Sequence, residues 1–197
     1  MDGFLKKEKT MIEAANVKPG MFIKKGEEIL KVIETEVKAG PARFSSHVHL
    51  KLQNVKTGKT VDMKLSPEEK IEDLSLEIVV LEYLYSEGDN FCFMNPQTYE
   101  QFEIPGYMIG NFRDFLKEGT ALKFEIYQNM PISVIIPETV ELKVISTGSG
   151  VKSDTDAPYK NAMLENNMEV LVPNFIKPGD IVKISTSTRH YVERVHK

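Results

Sequence analysis

The sequence predicts an all-β protein made of small barrels in tandem, and two observations predict it. Short runs that alternate apolar and polar residues are separated by Gly, Pro and Asn turns from residue 16 to the end. An internal repeat then relates residues 115–126 (FLKEGTALKFEI) to residues 175–186 (FIKPGDIVKIST), 60 positions later. Each copy reads as a lysine-bearing turn closed by glycine and followed by a period-2 strand, so the C-terminal two-thirds looks like one small β module used twice.

Taken in order, residues 1–10 read as a frayed tail, and NVKPG supplies a Pro-Gly turn into the strand MFIKK. A Gly-Glu-Glu turn joins that strand to ILKVIETEV, which makes a hairpin. A second hairpin follows, with AGPARFSS as its loop, HVHLKLQNV as its return arm and Thr57-Gly58 as the turn into KTVDMKL. This is the pattern of a small SH3-like barrel of the KOW type with one protruding hairpin, assigned to residues 11–72. The charged stretch 67–73 reads as a linker.

Residues 73–137 hold three strand runs, a helical interval over 106–119 and a further strand pair, the order of a five-stranded OB barrel. Within the interval, Ile109, Phe112, Phe115 and Leu116 fall at helical spacing and read as core rather than as a base-stacking platform. Residues 138–197 form the second OB module: VELKVIST, a long polar loop GSGVKSDTDAPYKNA, then strands near MEVLVP, DIVKIST and HYVERV. A loop of that length is expected to be functional or mobile.

Composition narrows the function. The 197 residues contain one cysteine, Cys92, inside the alternation NFCFM, so a disulfide framework is excluded and a buried strand thiol in a reducing compartment is expected. The N-terminus has no signal-type apolar region, and no apolar run approaches the ~20 residues of a membrane span. A cytoplasmic chain that does not engage membranes is expected. Net charge is −4, yet residues 37–64 carry +5 and residues 73–137 carry −7. A basic hairpin beside an acidic module suggests a local polyanion contact, although a solvated charged face would show the same letters.

Catalytic motifs are missing. Of the four histidines, His47 and His49 share a strand face, but no third ligand stands at metal-binding spacing and the nearest carboxylate in sequence is Asp62. There is no phosphate loop, no nucleophile elbow and no Cys/His constellation; Glu27/Glu28 and Glu68/Glu69 sit in turns. Neither metal, cofactor nor enzymatic activity is expected.

Residues 160–179 (KNAMLENNMEVLVPNFIKPG) resemble the signature of the bacterial elongation factor P family. Lys160, Ala162, Val170, Val172, Pro173, Ile176 and Gly179 stand at the signature positions, and Asn167 replaces the family's glycine. Asparagine is the residue best able to take over a left-handed backbone position. YLYSEGDNFCFMNPQTYEQ, PETVELKVIST and the ending Tyr191-Val-Glu-Arg194 extend the likeness from about residue 16 to 194. The resemblance implies an SH3-like domain and two OB domains in an L-shaped, tRNA-like arrangement. It also implies a monomer that binds the ribosome between the P and E sites, next to the P-site peptidyl-tRNA and rRNA, and relieves stalling at consecutive prolines.

Carried across residue by residue, the resemblance places the tip loop, which reaches toward the peptidyl-transferase centre, at Lys38, Gly40, Pro41, Ala42, Arg43 and Phe44. Counting forward from Lys38 puts the tip at Pro41, and counting back from Thr57-Gly58 puts it at Arg43. Arg43 is preferred because it supplies charge for phosphate contacts. The longer loop resembles the elongation factor P-like branch, which presents an unmodified arginine. Arg43 and, after it, Lys38 are the modification candidates. His47, His49, Lys51 and Lys56 are candidate RNA-backbone contacts. Asp154 and Thr155 match a loop that faces the E-site codon, and Tyr191 and Arg194 match an ending that faces the P-site tRNA or else form a last core strand with a surface arginine. A general tandem OB-fold RNA-binding protein is the alternative function.

Overall fold

The computed structural model describes residues 10–38, 46–148 and 159–195. The chain divides into two compact units, Met1–Val79 with Phe124–Val134, and Val80–Lys123 with Ile135–Lys197. Among the described residues the regular structure is three β-sheets, a 3-10 turn at Ala14–Asn16 and a short helical segment over 106–115.

The first sheet comprises β1 (Thr10–Glu13), β2 (Phe22–Lys25), β3 (Glu28–Lys38), β4 (His47–Asn54), β5 (Thr60–Leu65) and β6 (Lys70–Asp73), in the order β1-β6-β2-β3-β4-β5 with antiparallel pairing throughout. Strict alternation on β4 buries Val48, Leu50 and Leu52 completely and turns His47, His49 and Lys51 to the opposite face. The three buried side chains join Ile23, Leu30 and Val32 in one core, each contributing about 1.5–3 kcal/mol of apolar burial.

The middle sheet comprises β7 (Glu77–Glu87), β8 (Asn90–Met94), β9 (Gln101–Pro105), β10 (Ala121–Tyr127) and β11 (Met130–Ile135), ordered β11-β10-β7-β8-β9. The third comprises β12 (Thr139–Thr147), β13 (Tyr159–Leu164), β14 (Glu169–Pro173), β15 (Ile181–Ser185) and β16 (Tyr191–Arg194), ordered β14-β13-β12-β15-β16. When each set is numbered from its own first strand, both sheets read 5-4-1-2-3 in one direction or the other. The module is thus repeated in topology as well as in letters, and the chain has an all-β, multi-barrel fold.

The repeat has a third copy, at residues 17–24 (VKPGMFIK), which lacks only the leading aromatic residue. In the middle module the turn at 117–120 closes with Thr120 N–H donating to Lys117 O (2.9 Å), while Gly119 N–H donates to Tyr83 O (2.9 Å) and Tyr83 N–H to Thr120 O (2.9 Å). At 177–180 the same bonds join Asp180 to Lys177 (3.1 Å), Gly179 to Val144 (2.8 Å) and Val144 to Asp180 (2.9 Å). At 18–21 they join Met21 to Lys18 (3.2 Å), Gly20 to Val32 (2.8 Å) and Val32 to Met21 (2.8 Å). The three glycines have φ of 81°, 94° and 90°, which L-residues rarely adopt. Each turn docks on a long strand just before a bulge: Val32/Glu34 on β3, Tyr83/Tyr85 on β7 and Val144/Ser146 on β12.

Four sequence expectations change. Residues 70–73 are not a linker but β6, inserted between β1 and β2, because one apolar residue, Ile71, is enough to seat a four-residue strand on the core. Residue 10 is not tail: Thr10 begins β1 opposite Asp73, while residues 1–9 lie outside the described residues. The long loop of the third module gives up its end to β13, where buried Ala162 and Leu164 alternate with exposed residues that masked the pattern. The helical interval is a single α-turn, Gly106–Ile109, followed by a 3-10 segment, Gly110–Phe115. Ile109, Phe112 and Phe115 are buried as expected, and their spacing of three suits the 3-10 period; Leu116 is half-buried beyond it. Cys92 is buried on β8, and Asn167 has φ 62°, the left-handed geometry its position requires.

Candidate nucleic-acid interface

β3 and β4 make an arm whose inner end lies in the barrel core. Their register pairs Leu30 with Asn54 at the base and Lys38 with His47 at the far end. Burial along the pair differs between its two strands: on β3 Leu30 and Val32 are buried and Val37 is 59% exposed, whereas on β4 Val48, the partner of Val37, is fully buried. β3 is thus exposed from Glu36 to Lys38, while β4 stays seated on the core as far as Val48.

Lys38, His47, His49 and Lys51 are brought together on this arm. His47, His49 and Lys51 follow at two-residue intervals on one face of β4, and Lys38 lies directly across from His47. Lys56 is not with them. It sits past the other end of β4, where buried Asn54 accepts from the Lys56 and Thr57 amides at 2.9 and 3.0 Å. Turn and arm thus occupy opposite ends of one eight-residue strand, ~23 Å long at about 3.3 Å per residue.

The arm is less basic than a count over residues 37–64 suggests. Lys38 Nζ lies 3.0 Å from Glu36, Lys51 Nζ 3.6 Å from Glu34, and His49 Nε2 3.5 Å from Asp62. Glu34 and Glu36 fall just outside the counted window, and extending it to residue 28 lowers +5 to +3. Exposed pairs of this type hold their partners weakly, by about 0–1 kcal/mol, so a phosphate can displace the carboxylates. The geometry suits a surface that exchanges acidic side chains for an RNA backbone.

Tyr191 and Arg194 both lie on β16, facing Ile184 and Val182 of β15. Arg194 is occupied within its own module: its guanidinium stands 5.5 Å from the Phe175 ring and 3.9 Å from Asp180 Oδ2, the residue that closes the repeated turn. Burial pushes the Tyr191 phenol up, against a smaller lowering by the adjacent Arg194 charge. Gly40, Pro41, Ala42, Arg43, Phe44, Asp154 and Thr155 lie outside the described residues.

Sequence reasoning did not single out Lys31 and Ser133. Lys31 Nζ donates to Ser133 Oγ at 2.9 Å across 102 residues of chain, a contact that no local pattern announces. The only sequence signal was a serine inside the apolar run PISVIIP. Among the described residues no helix is long and apolar enough to cross a membrane.

Comparison with known proteins gives three family models in chain order: "Elongation factor P (EF-P) KOW-like domain" matches residues 13–71, "Elongation factor P (EF-P) OB domain" residues 76–134, and "Elongation factor P, C-terminal" residues 140–194. Elongation factor P of Thermus thermophilus is 38% identical over 186 residues, covering 93% of this chain and 100% of that protein. Elongation factor P of Coprothermobacter proteolyticus is 35% identical over 186 residues, covering 94% and 100%. Among solved structures, eukaryotic translation initiation factor 5A from Methanococcus jannaschii aligns with a TM-score of 0.51 at 16% identity, over 64% of this chain and 94% of that one. At that identity the alignment speaks to the fold alone.

Proposed function

The chain belongs to the elongation factor P family and is a translation elongation factor, and from that premise we propose that it binds the ribosome between the P and E sites. There it restores peptide-bond formation at consecutive prolines. The observation that supports this reading is the outward face of the β3–β4 pair, where Lys38 stands opposite His47 and His49 and Lys51 follow on the same face of β4.

Proline is a poor nucleophile with a rigid backbone, so the obstacle at a proline stall is alignment rather than chemistry. A factor that steadies the acceptor end of the P-site peptidyl-tRNA removes unproductive orientations, and orientation alone can supply several kcal/mol of a barrier. In this reading Arg43 is the tip, presented by Lys38, Gly40, Pro41, Ala42 and Phe44, and no covalent step belongs to the factor. His47, His49, Lys51 and Lys56 meet tRNA or rRNA backbone, Asp154 and Thr155 face the E-site codon, and Tyr191 and Arg194 face the P-site tRNA. The working domains are 11–72, 73–137 and 138–197, and the protein acts as a cytoplasmic monomer.

The test is peptide-bond formation on reconstituted ribosomes with a message encoding three consecutive prolines. The full-length protein is expected to raise the rate by tenfold or more, and Arg43→Ala to lose most of that gain. An equal rate with wild type, with Arg43→Ala and with no added factor would contradict the proposal. Binding to free single-stranded RNA as tight as to ribosomes would favour a general RNA-binding role instead.

A further inference from the structure

Each of the three lysine turns is preceded by another turn, and the third copy carries a residue there that the scaffold does not require. Val17 N–H donates to Ala14 O (3.2 Å), Leu116 N–H to Arg113 O (3.2 Å) and Ile176 N–H to Pro173 O (3.0 Å). The third position of these turns holds Asn16, Phe115 and Phe175 in turn. In the middle copy Phe115 is 5% exposed and belongs to the core. In the first and third copies the next residue fills the core instead, as Val17 and Ile176, and the third position lies outside it. Asparagine serves at that outward position in the first copy, whereas the third has a phenylalanine that is 56% exposed.

Burial does not account for Phe175, because an exposed ring forgoes most of the gain that a buried one makes. The ring is combined with charge. The Arg194 guanidinium lies over it, 5.5 Å from the ring centroid. The other partner of Arg194, Asp180 Oδ2, is 3.9 Å away and already accepts from the Lys177 amide at 2.8 Å. An ion pair so long and partly exposed holds the arginine weakly. The 173–176 turn and the end of β16 thus display an aromatic ring and a weakly held guanidinium side by side, with Lys177 exposed two residues on.

Ring and cation together match one ligand chemistry, an unpaired RNA base with its phosphate. Single-stranded bases stack on aromatic side chains and guanidinium planes, whereas the bases of an RNA helix are already stacked on one another. We propose that Phe175 is an RNA-contact residue: its exposed ring stacks an unpaired base, and Arg194, held over the ring, meets the adjoining backbone. The proposal rests on the ribosomal role argued above, and it adds to Tyr191 and Arg194 a residue that recognises the base rather than the charge.

The test uses the full-length protein and ribosomes carrying a P-site tRNA. Phe175→Leu keeps an apolar side chain and removes the ring, and it is expected to weaken binding about tenfold at an unchanged denaturant midpoint. Phe175→Trp, with a larger stacking surface, is expected to bind at least as tightly as wild type. Photocrosslinking from p-azidophenylalanine in place of Phe175 is expected to give an adduct with a nucleotide, and mapping that nucleotide assigns the base to tRNA or to rRNA. Wild-type affinity in Phe175→Leu, an equal loss in Phe175→Trp, or an adduct with ribosomal protein alone would overturn the proposal. If the wild-type protein does not bind ribosomes, the ribosomal role fails, and crosslinking of the same azido variant to free tRNA decides the matter. A nucleotide adduct then supports the stacking role, and its absence overturns it.

Discussion

The Lys-x-Gly-x turns and the β3–β4 arm follow opposite rules. The turn occurs three times with the same backbone bonds to the same kind of bulged strand, and its fourth residue changes freely among methionine, threonine and aspartate. The arm has shorter counterparts in the bulged pairs β7–β8 and β12–β13, and it differs from them in length, with eight register partners against five and three among the described residues. Repetition with tolerated side chains marks scaffold, where the backbone carries the information. A single elaboration of one copy marks the place where function was added.

The strongest way to break this comparison is to spoil the turn's backbone. A Cβ at Gly179 would meet no atom within 4 Å, so Gly179→Ala tests conformation alone. With φ at 94°, the substitution is expected to cost about 1–2 kcal/mol, read as a lower denaturant midpoint at unchanged slope. Gly20→Ala, with φ 90° and equally open space, is expected to cost about the same. A neutral result at either site would mean that the turns are not what holds the bulged strands.

A graded series at the fourth residue sharpens the comparison. The lysine amide at the start of each turn donates to Asp180 Oδ2 at 2.8 Å, to Thr120 Oγ1 at 3.0 Å and to Met21 Sδ at 3.2 Å. Carboxylate, hydroxyl and thioether fall in acceptor strength in that order. Asp180→Ala, which also strips Arg194 of a partner, is expected to cost about 1.5–3 kcal/mol, and Thr120→Val about 1 kcal/mol. Met21→Leu is expected to be close to neutral, and equal costs at all three positions would contradict the ranking. The smallest effect concerns Asp73 at the end of β6. Burial raises its carboxyl above the ordinary 3.8, against a lesser lowering by the Leu74 amide. A carboxyl raised in the folded state supports folding fully below pH 3.8 and loses that contribution as pH rises through its folded value. Asp73→Asn is therefore expected to gain on wild type as pH increases above 3.8, and a pH-independent difference in midpoint would refute it.

Two copies of the turn were legible because glycine and lysine recur 60 residues apart with the flanking aromatic and aliphatic letters intact. The third was missed although Val17-Lys18-Pro19-Gly20 matches Ile176-Lys177-Pro178-Gly179, because Asn16 stands where the other copies have phenylalanine and the turn opens a strand in a different sheet order; the bonds to Val32 establish the kinship. Family signature positions were readable for the same reason that Asn167 could be placed in the left-handed region: a glycine requirement leaves few substitutes. β6 and β13 escaped notice because each buries one or two small or isolated apolar residues among charged or polar ones, so burial there is set by neighbouring strands rather than by local pattern. The true charge of the arm was hidden too, since Glu34 and Glu36 neutralise lysines that lie across or beside them in register rather than inside one sequence window.

The most direct test of the division between scaffold and arm measures stability and rate on the same two proteins, Gly179→Ala and Arg43→Ala, with wild type as reference. Denaturant midpoints and saturating peptide-bond rates on a triple-proline message are recorded under conditions where all three are folded. Arg43→Ala is expected to keep the wild-type midpoint and lose most of the rate enhancement, while Gly179→Ala keeps the rate and loses midpoint. A rate loss in Gly179→Ala equal to that in Arg43→Ala, or a wild-type rate in Arg43→Ala, would contradict the account.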